Sequence, residues 1–363
     1  MKHDFYIGAS AISNMQHILE QLQVKHVFLV RGKKSYIHCG AADKLQTVWS
    51  NIHCQVIEFD DFSTNPKEED TLKGTACFNA THADCIIAVG GGSAMDMAKL
   101  IRYQAMQTST NHVPLFAVPT TAGTAAEVTI NYVITDVEKK RKFVCVDIHD
   151  IPEVAVVDPD MMASMPKGLT ASTGMDALTH AIEGYITKGA WEMTDMFHLK
   201  AIELIAKHLP GACENTPEGR EGMALAQYIA GQGFSNVGLG IVHSMAHGLG
   251  ALYDTPHGVA NAILLPSIMA YNAECTGDKY RDIAKAMGVA GTDAMTIEEA
   301  RKAAVDAVYA LNEKVGIAKD LKGILKEEDI QFLSESAFAD ACRPGNPKDT
   351  SVEEIAELYR ALL

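Results

Sequence analysis

The hydrophobic pattern divides the chain into two regions of different secondary structure. In the first region, short runs rich in β-branched and aromatic residues alternate with amphipathic segments, which predicts strands separated by helices. The predicted strands are 27–30, 55–59, 85–89, 115–118, 129–134, 142–146 and 154–157, and the predicted helices include 10–22, 69–80 and 94–102. Alternation of this kind is typical of a doubly wound, mainly parallel sheet.

The second region begins after Asp158 and Pro159, where strand patterns nearly disappear and long helical patterns follow. The predicted helices are 173–186, 193–208, 222–233, 242–252, 258–270, 297–315 and 352–362. We therefore expect an α/β domain at residues 1–163, followed by an all-α domain at residues 164–363.

Composition limits the partners and the cellular location. A formal net charge of -15 gives an acidic surface, which disfavours nucleic acid and anionic membranes as partners. The chain begins without the apolar run of a secretory signal, and no stretch approaches the ~20 apolar residues of a membrane span. The 8 cysteines are scattered without a CxxC pair, as expected of free thiols in a reducing compartment. We expect a cytoplasmic protein.

Two loops after neighbouring predicted strands carry the chemistry of a phosphate site. A run of three glycines and a serine joins one strand to a helix, where backbone amides and the positive helix end attract a pyrophosphate. A threonine-rich loop follows the next strand, at the same carboxyl edge of the sheet. Together the two loops are expected to form a dinucleotide site. The alternative is a tight turn with threonines that satisfy only their own backbone.

An aspartate and a histidine lie one helical turn apart in the second region. Asp176 and His180 are separated by four residues, which places them on one face of a predicted helix. Thr173 offers a different explanation, because it could form a capping box in which Asp176 only caps the helix. His180 could equally be a hydrogen-bonded histidine of the core.

Three further histidines lie close together in sequence. His243 and His247 are again one helical turn apart, and His257 follows a short turn. Neutral imidazoles and one carboxylate form a competent site for a divalent ion such as iron or zinc. The sequence therefore predicts a metal centre in the helical domain.

These segments together resemble the iron-dependent (group III) alcohol dehydrogenase family. The resemblance rests on residues 90–99, the loop 119–127 and the spacing of Asp176, His180, His243 and His257, and it is stronger from about residue 113 onward. It implies that these four residues bind the metal and that His247 lies between the metal and the nicotinamide. It further implies that Asn131 and Phe234 border the substrate. The residues that it implies contact the dinucleotide are Gly91, Gly92, Ser93, Thr120, Thr121, Thr124 and Lys142. Without the resemblance, Asn131 could be an ordinary strand residue, Phe234 a core residue and Lys142 a solvated charge.

The activity implied by the resemblance is reversible hydride transfer between NAD(P)(H) and a small aldehyde or alcohol, such as lactaldehyde and 1,2-propanediol. The implied metal is Fe²⁺, with Zn²⁺ as the alternative, and the implied assembly is a homodimer or a higher homo-oligomer. Other interpretations of the function stay open. The substrate could be an aldehyde bearing a phosphonate or sulfonate, the chain could be a dehydroquinate-synthase-like metal and NAD enzyme, or it could be a non-catalytic sensor.

The turn after the second strand favours NADP(H). Family members that prefer NAD commonly carry an aspartate here, which holds the adenosine ribose hydroxyls. In this chain Gly32 occupies that position, and Lys33 and Lys34 follow it. A missing carboxylate removes repulsion against a 2′-phosphate, and a lysine can pair with it. The alternative is a charged surface turn with NAD bound in the ordinary way.

Overall fold

The computed structural model describes residues 3–108 and 112–363. The chain forms two compact units. The first consists of Met1–Asp136 and Val144–Met165, and the second of Val137–Phe143 and Pro166–Leu363. The first unit is built around a sheet and the second is almost entirely helical, which confirms the predicted fold class.

All strand pairs in the six-stranded sheet of the first unit are parallel. The six strands are β1 (Asp4–Ile7), β2 (His26–Arg31), β3 (Gln55–Phe59), β4 (Cys85–Gly90), β5 (Leu115–Pro119) and β8 (Val154–Val157). Their order across the sheet is β1-β8-β5-β4-β2-β3. The direction of winding reverses between β2 and β4, and ligands of open α/β sheets bind in the crevice at the carboxyl ends of such strands.

Alternate residues of the central strands enter two separate cores. Val27 and Leu29 belong to one hydrophobic cluster, whereas Phe28 and Val30 belong to another. All four side chains are fully buried. A strand covered on both faces therefore appears in the sequence as a continuous apolar run.

The two remaining predicted strands are not part of the main sheet. They form a separate two-stranded sheet, β6 (Asn131–Asp136) with β7 (Arg141–Val146). The sequence pattern did not predict β1, because this strand is only four residues long and its partner β8 is distant in sequence.

Helices of the first unit connect the strands of the parallel sheet. They are α1 (Asn14–Gln21), α2 (Ser35–His38), α3 (Ala41–Ile52), α4 (Glu68–Asn79) and α5 (Gly92–Thr108). The helices of the second unit are α6 (Lys167–Ile186), α7 (Glu192–Cys213), α8 (Pro217–Val237), α9 (Ile241–Tyr253), α10 (His257–Asn272), α11 (Lys279–Ala286), α12 (Ile297–Val315), α13 (Ile330–Phe338) and α14 (Val352–Arg360). Within the described ranges, no helix has both the length and the apolar character needed to cross a bilayer.

Helix α6 begins earlier than the sequence pattern predicts. Thr173 was a candidate cap for a helix starting at that residue, but α6 already begins at Lys167. The hydroxyl of Thr173 donates instead to the carbonyl of Leu169, at 2.8 Å, one turn back in the helix. The capping-box explanation for Asp176 is therefore wrong, and its carboxylate is available for another role.

Candidate active site

Helix α6 presents one polar face within an otherwise apolar helix. Asp176, His180 and Glu183 follow one another at helical spacing, and each side chain is buried. Because buried carboxylates and imidazoles require polar partners, the contacts of this face identify the site.

Glu183 joins this face to the first turn of α9. Its Oε1 accepts a hydrogen bond from the backbone N–H of Val242 at 2.8 Å, and its Oε2 accepts one from the N–H of His243 at 3.3 Å. These are amides that a helix start leaves without an intrahelical partner. The same Oε2 lies 2.6 Å from Nδ1 of His243. The carboxylate therefore caps α9 and orients His243, so that Nε2 faces the other side chains of the site.

His257 and Asn261 enter the site from the first turns of α10. The Nδ2 of Asn261 donates to Oδ1 of Asp176 at 2.6 Å. The same nitrogen lies 3.2 Å from Nε2 of His243 and 3.1 Å from Nε2 of His257. One amide thus contacts side chains from three different helices.

The arrangement of these donors fits a divalent metal ion. Oδ1 of Asp176 lies 3.6 Å from Nε2 of His257 and 3.9 Å from Nε2 of His243. Metal–ligand bonds of ~2.0–2.2 Å place neighbouring ligand atoms at such separations. Asp176, His243 and His257 form one of two groups of potential metal ligands found among the described residues, with ligand atoms within 4.8 Å of one another. His180 lies beside them, and its ring stacks on that of His243 with centroids 4.5 Å apart.

Burial keeps the histidines of this group neutral. Desolvation lowers the pKa of His243 to about 4, although Asp176 acts in the opposite direction. The pKa of His257 lies well below its usual value because of burial and the neighbouring His243 and His247. Burial also raises the pKa of Glu183 to about 7, against the effect of its backbone hydrogen bonds. Neutral imidazole is the form that binds metals.

His247 lies one turn beyond His243 on α9, and its partner is Asp340. The Nδ1 of His247 is 2.9 Å from Oδ2 of Asp340. Burial alone would raise the pKa of Asp340, but the electrostatic interaction with His247 and hydrogen bonds, including one from Cys342, lower it to about 2. The His247 and His257 rings stack, with centroids 5.4 Å apart.

Phe234 and Lys142 also lie in the second unit. The Phe234 ring stacks on His180, with 4.3 Å between centroids and 9° between planes. Lys142 approaches α9 at Gly250, where an added Cβ would lie 3.2 Å from its Nζ. Its charge contributes to the lowered pKa of His257.

In the first unit, the predicted cofactor loops converge at the carboxyl ends of β2, β4 and β5. The N–H of Gly32 donates to the carbonyl of Val89 at 2.9 Å, and that of Thr120 donates to Gly90 at 2.8 Å. A Cβ added to Gly91 would lie 3.2 Å from the side chain of Thr121. Among the described residues, the buried Oγ1 of Thr120 has no hydrogen-bond partner.

The remaining loop residues complete this arrangement. A Cβ added to Gly92 would lie 3.0 Å from the side chain of Thr124, and the hydroxyl of Ser93 donates to the carbonyl of Thr64. A bare backbone beside threonine side chains is the kind of surface that admits a pyrophosphate. The structure thus brings the predicted glycine and threonine loops together.

Asn131 begins β6, and a buried lysine holds its backbone. The Nζ of Lys99, on α5, donates to the carbonyls of Thr129 at 2.6 Å and of Asn131 at 2.8 Å. Lys99 is fully buried, which lowers its pKa to about 8 against the attraction of nearby acids. Lys33, by contrast, is exposed in the turn after β2.

Three residues of the site were not identified from sequence. Glu183 follows His180 on the same helical face, and Asn261 lies four residues after His257, so spacing could have revealed both. Asp340 gives no such signal, because 93 residues separate it from His247. A contact at that separation depends on the tertiary fold.

Comparison with known proteins places both units in one family. Residues 3–159 match the model of iron-containing alcohol dehydrogenases. Residues 170–363 match the C-terminal model of the Fe-containing alcohol dehydrogenase family. The chain therefore belongs to the iron-containing alcohol dehydrogenase family, a class of metal-dependent oxidoreductases of alcohols and aldehydes.

Comparison with individual proteins shows which members of the family the chain resembles. The chain is 51% identical over 346 residues to lactaldehyde reductase of Escherichia coli K12, covering 91% of this chain and 90% of that protein. It is 40% identical to 1,3-propanediol dehydrogenase of Citrobacter freundii, covering 98% and 96% of the two chains. The crystal structure of a 1,3-propanediol oxidoreductase superposes with a TM-score of 0.94 at 39% identity, covering 100% of this chain and 98% of the other.

Proposed function

We propose that the protein catalyses reversible hydride transfer between NADP(H) or NAD(H) and a small aldehyde or alcohol, with lactaldehyde and 1,2-propanediol as the leading pair. The observation that carries this proposal is the convergence of Asp176, His243 and His257 on one point, with His180 stacked beside them. The similarity to lactaldehyde reductase supports the choice of substrate.

The four proposed metal ligands are Asp176, His180, His243 and His257, with Fe²⁺ as the expected ion and Zn²⁺ as the alternative. A bound divalent ion acts as a Lewis acid that polarises a carbonyl oxygen. The chain itself contributes orientation. Glu183 fixes the ring of His243 through Nδ1, and Asn261 fixes the carboxylate of Asp176 through Oδ1.

His247 is the proposed proton-exchanging residue. It lies beside the ligand histidines, with its ring stacked on His257. Imidazole serves well in general acid–base catalysis near neutral pH. Phe234, stacked on His180, and Asn131 are the proposed borders of the substrate site.

The dinucleotide is proposed to bind along Gly91, Gly92 and Ser93 and along Thr120, Thr121 and Thr124, with Lys142 as a further contact. The hydroxyl of Thr120 supports this assignment, because it is buried and has no hydrogen-bond partner among the residues that the structure describes. We propose a preference for NADP(H). Arg31 is already paired with Glu58 at 2.6 Å and Asp60 at 2.8 Å, which leaves the exposed Lys33 and Lys34 as cations for a 2′-phosphate.

Two broader expectations accompany this function. We propose that the protein acts in the cytoplasm, in keeping with its scattered cysteines. We also propose that it assembles as a homodimer or a larger homo-oligomer, as the family resemblance implies.

The test is a metal-reconstitution assay. Protein purified anaerobically is stripped of metal and reloaded with Fe²⁺ or Zn²⁺, and the absorbance of NADH or NADPH is followed with lactaldehyde, glycolaldehyde, propanal and aldehydes bearing a phosphonate or sulfonate. Metal-dependent turnover, lost in His243→Ala and kept in His17→Ala, supports the proposal. His17 is a suitable control because it is exposed on α1. If metal-loaded protein turns over no aldehyde and no alcohol with either cofactor, the dehydrogenase assignment is wrong.

A further inference from the structure

Asp340, which has no role in the function proposed above, contacts His247. It follows the end of α13, and its side chain is 7% exposed. Its Oδ2 lies 2.9 Å from Nδ1 of His247. Its Oδ1 accepts hydrogen bonds from the backbone N–H of Cys342 at 2.8 Å and from Oγ of Ser244 at 3.2 Å. Each carboxylate oxygen therefore has its own partners.

This division of partners fixes the proton on His247. A carboxylate can only accept hydrogen bonds, so the nitrogen facing Oδ2 must carry the proton. The backbone donor of Cys342 holds the carboxylate in place, and Ser244, one turn before His247 on α9, adds a second contact. In the neutral ring, the opposite nitrogen, Nε2, then has the lone pair.

We propose that Asp340 is a positioning residue, which holds the Nδ1–H of His247 and so makes Nε2 the nitrogen that exchanges a proton with the substrate oxygen. This inference rests on the proposed role of His247. In alcohol oxidation, Nε2 takes the hydroxyl proton as the hydride passes from carbon to NAD(P)⁺, and the proton later leaves to solvent. In reduction, the same nitrogen returns a proton to the oxygen of the new alcohol. Asp340 keeps its charge throughout and stabilises the imidazolium.

The substitution Asp340→Asn tests this role because the backbone determines how the new amide is oriented. The N–H of Cys342 requires an oxygen at the Oδ1 position, so the amide NH₂ takes the Oδ2 position and faces His247. An NH₂ group donates, and therefore Nδ1 must lose its proton and Nε2 must gain it. The variant preserves shape and reverses the tautomer.

A matched control exists in an exposed pair of the first unit. Nδ1 of His149 lies 2.8 Å from Oδ1 of Asp147, a contact of the same kind with both groups outside the candidate metal centre. Asp147→Asn replaces the carboxylate of that pair with a neutral amide and is expected to leave turnover unchanged. Asp340→Glu, which keeps the negative charge, is expected to restore part of the activity that Asp340→Asn loses.

The first readout is the tautomer of His247, measured by ¹⁵N NMR of histidine-labelled, Zn²⁺-loaded protein, with His247→Gln used to assign the signal. We expect Nδ1–H in the wild type and Nε2–H in Asp340→Asn. The second readout is kinetic. We expect kcat of Asp340→Asn to fall about 100-fold or more, the scale of lost acid–base catalysis, with KM and bound metal unchanged.

Each outcome decides a separate point. An unchanged tautomer in Asp340→Asn, or a changed tautomer with unchanged kcat, overturns the inference. A loss of bound metal together with activity, which Asp340→Glu fails to restore, assigns Asp340 a purely structural role and also overturns it. If the wild type shows no turnover at all, the proposed function fails, while the NMR experiment still determines whether Asp340 sets the tautomer.

Discussion

At the scale of single residues, a carboxylate behind a metal-binding histidine controls how that histidine meets the ion. Glu183 holds Nδ1 of His243 at 2.6 Å and accepts two backbone N–H groups of α9. In Glu183→Gln one of these acceptors becomes a donor, so we expect Zn²⁺ affinity to fall about 10- to 100-fold. Competition with a chromophoric chelator measures this Zn²⁺ affinity. Glu203→Gln, an exposed change on α7, is the control, and equal affinities in the two variants would contradict the role of Glu183.

A second residue-scale prediction concerns cofactor choice. Gly32→Asp introduces the carboxylate that repels a 2′-phosphate, and we expect it to shift the ratio of kcat/KM for NADPH over NADH towards NADH by at least 10-fold, about 1.4 kcal/mol. A Cβ at this position would lie 2.2 Å from Oγ of Ser35, so the introduced side chain needs a smaller neighbour. The assay therefore compares the double variant Gly32→Asp/Ser35→Ala with Ser35→Ala alone. If the ratio of kcat/KM for NADPH over NADH is the same in the two variants, the turn after β2 does not determine the cofactor preference.

The residues of the site differ in how far sequence could predict them. Asp176 and His180, like His243 and His247, lie one turn apart in sequence and remain so in the helices α6 and α9. Helical spacing is a local property and survives folding. Asp340 reaches His247 across 93 residues, and only the packing of α13 against α9 produces that contact. Local patterns thus reveal potential ligands, whereas their hydrogen-bond partners depend on tertiary structure.

At the scale of elements, the helices around the candidate metal centre pack closely through glycines. His198 of α7 is fully buried between Gly184 of α6 and Gly233 of α8. A Cβ added to either glycine would lie 2.3 Å from Nε2 of His198. The ring is enclosed from both sides, so it cannot move away without disturbing a neighbouring helix.

Gly184→Ala is therefore expected to destabilise the protein despite the better helix propensity of alanine. Propensity favours alanine by about 1 kcal/mol, and overpacking opposes it by about 1–3 kcal/mol. Gly168 of the same helix is the matched control, because a Cβ there meets nothing within 4 Å. We expect the thermal midpoint to fall in Gly184→Ala and to stay level or rise in Gly168→Ala. A rise of the thermal midpoint in both variants would mean that the residues around His198 rearrange at little cost in stability.

The bounds of the helices and strands show how far the hydrophobic pattern of the sequence predicts secondary structure. β3 and β8 have the predicted bounds, because polar or turn residues flank each short run of strand-forming residues. The start of α6 was placed at Thr173, six residues late, because its first turns lack a strong apolar pattern. The pairing of β6 with β7 outside the main sheet also escaped prediction. A strand pattern alone does not specify which sheet receives the strand.

At the scale of the whole molecule, the proposed metal ligands and the proposed dinucleotide loops belong to different compact units. Asp176 and His180 lie on α6, His243 on α9 and His257 on α10, so a bound ion crosslinks three helices of the second unit. An ion at 100 times its Kd stabilises the form that binds it by ~2.7 kcal/mol. Local opening of these helices should therefore respond to metal, and local opening of the glycine and threonine loops should respond to dinucleotide.

Hydrogen exchange read by mass spectrometry separates the two responses. We expect removal of the metal to speed exchange most in peptides of α6, α9 and α10, and restoring Zn²⁺ to reverse the change. NADPH added to the metal-free protein should slow exchange most in residues 88–96 and 118–126. His243→Ala should lose the response to Zn²⁺ and keep the response to NADPH, because it removes one ligand from the second unit only. If metal removal instead speeds exchange in the six-stranded sheet as much as in these helices, the two units unfold as one cooperative body. The two compact units would then not be separate units of stability.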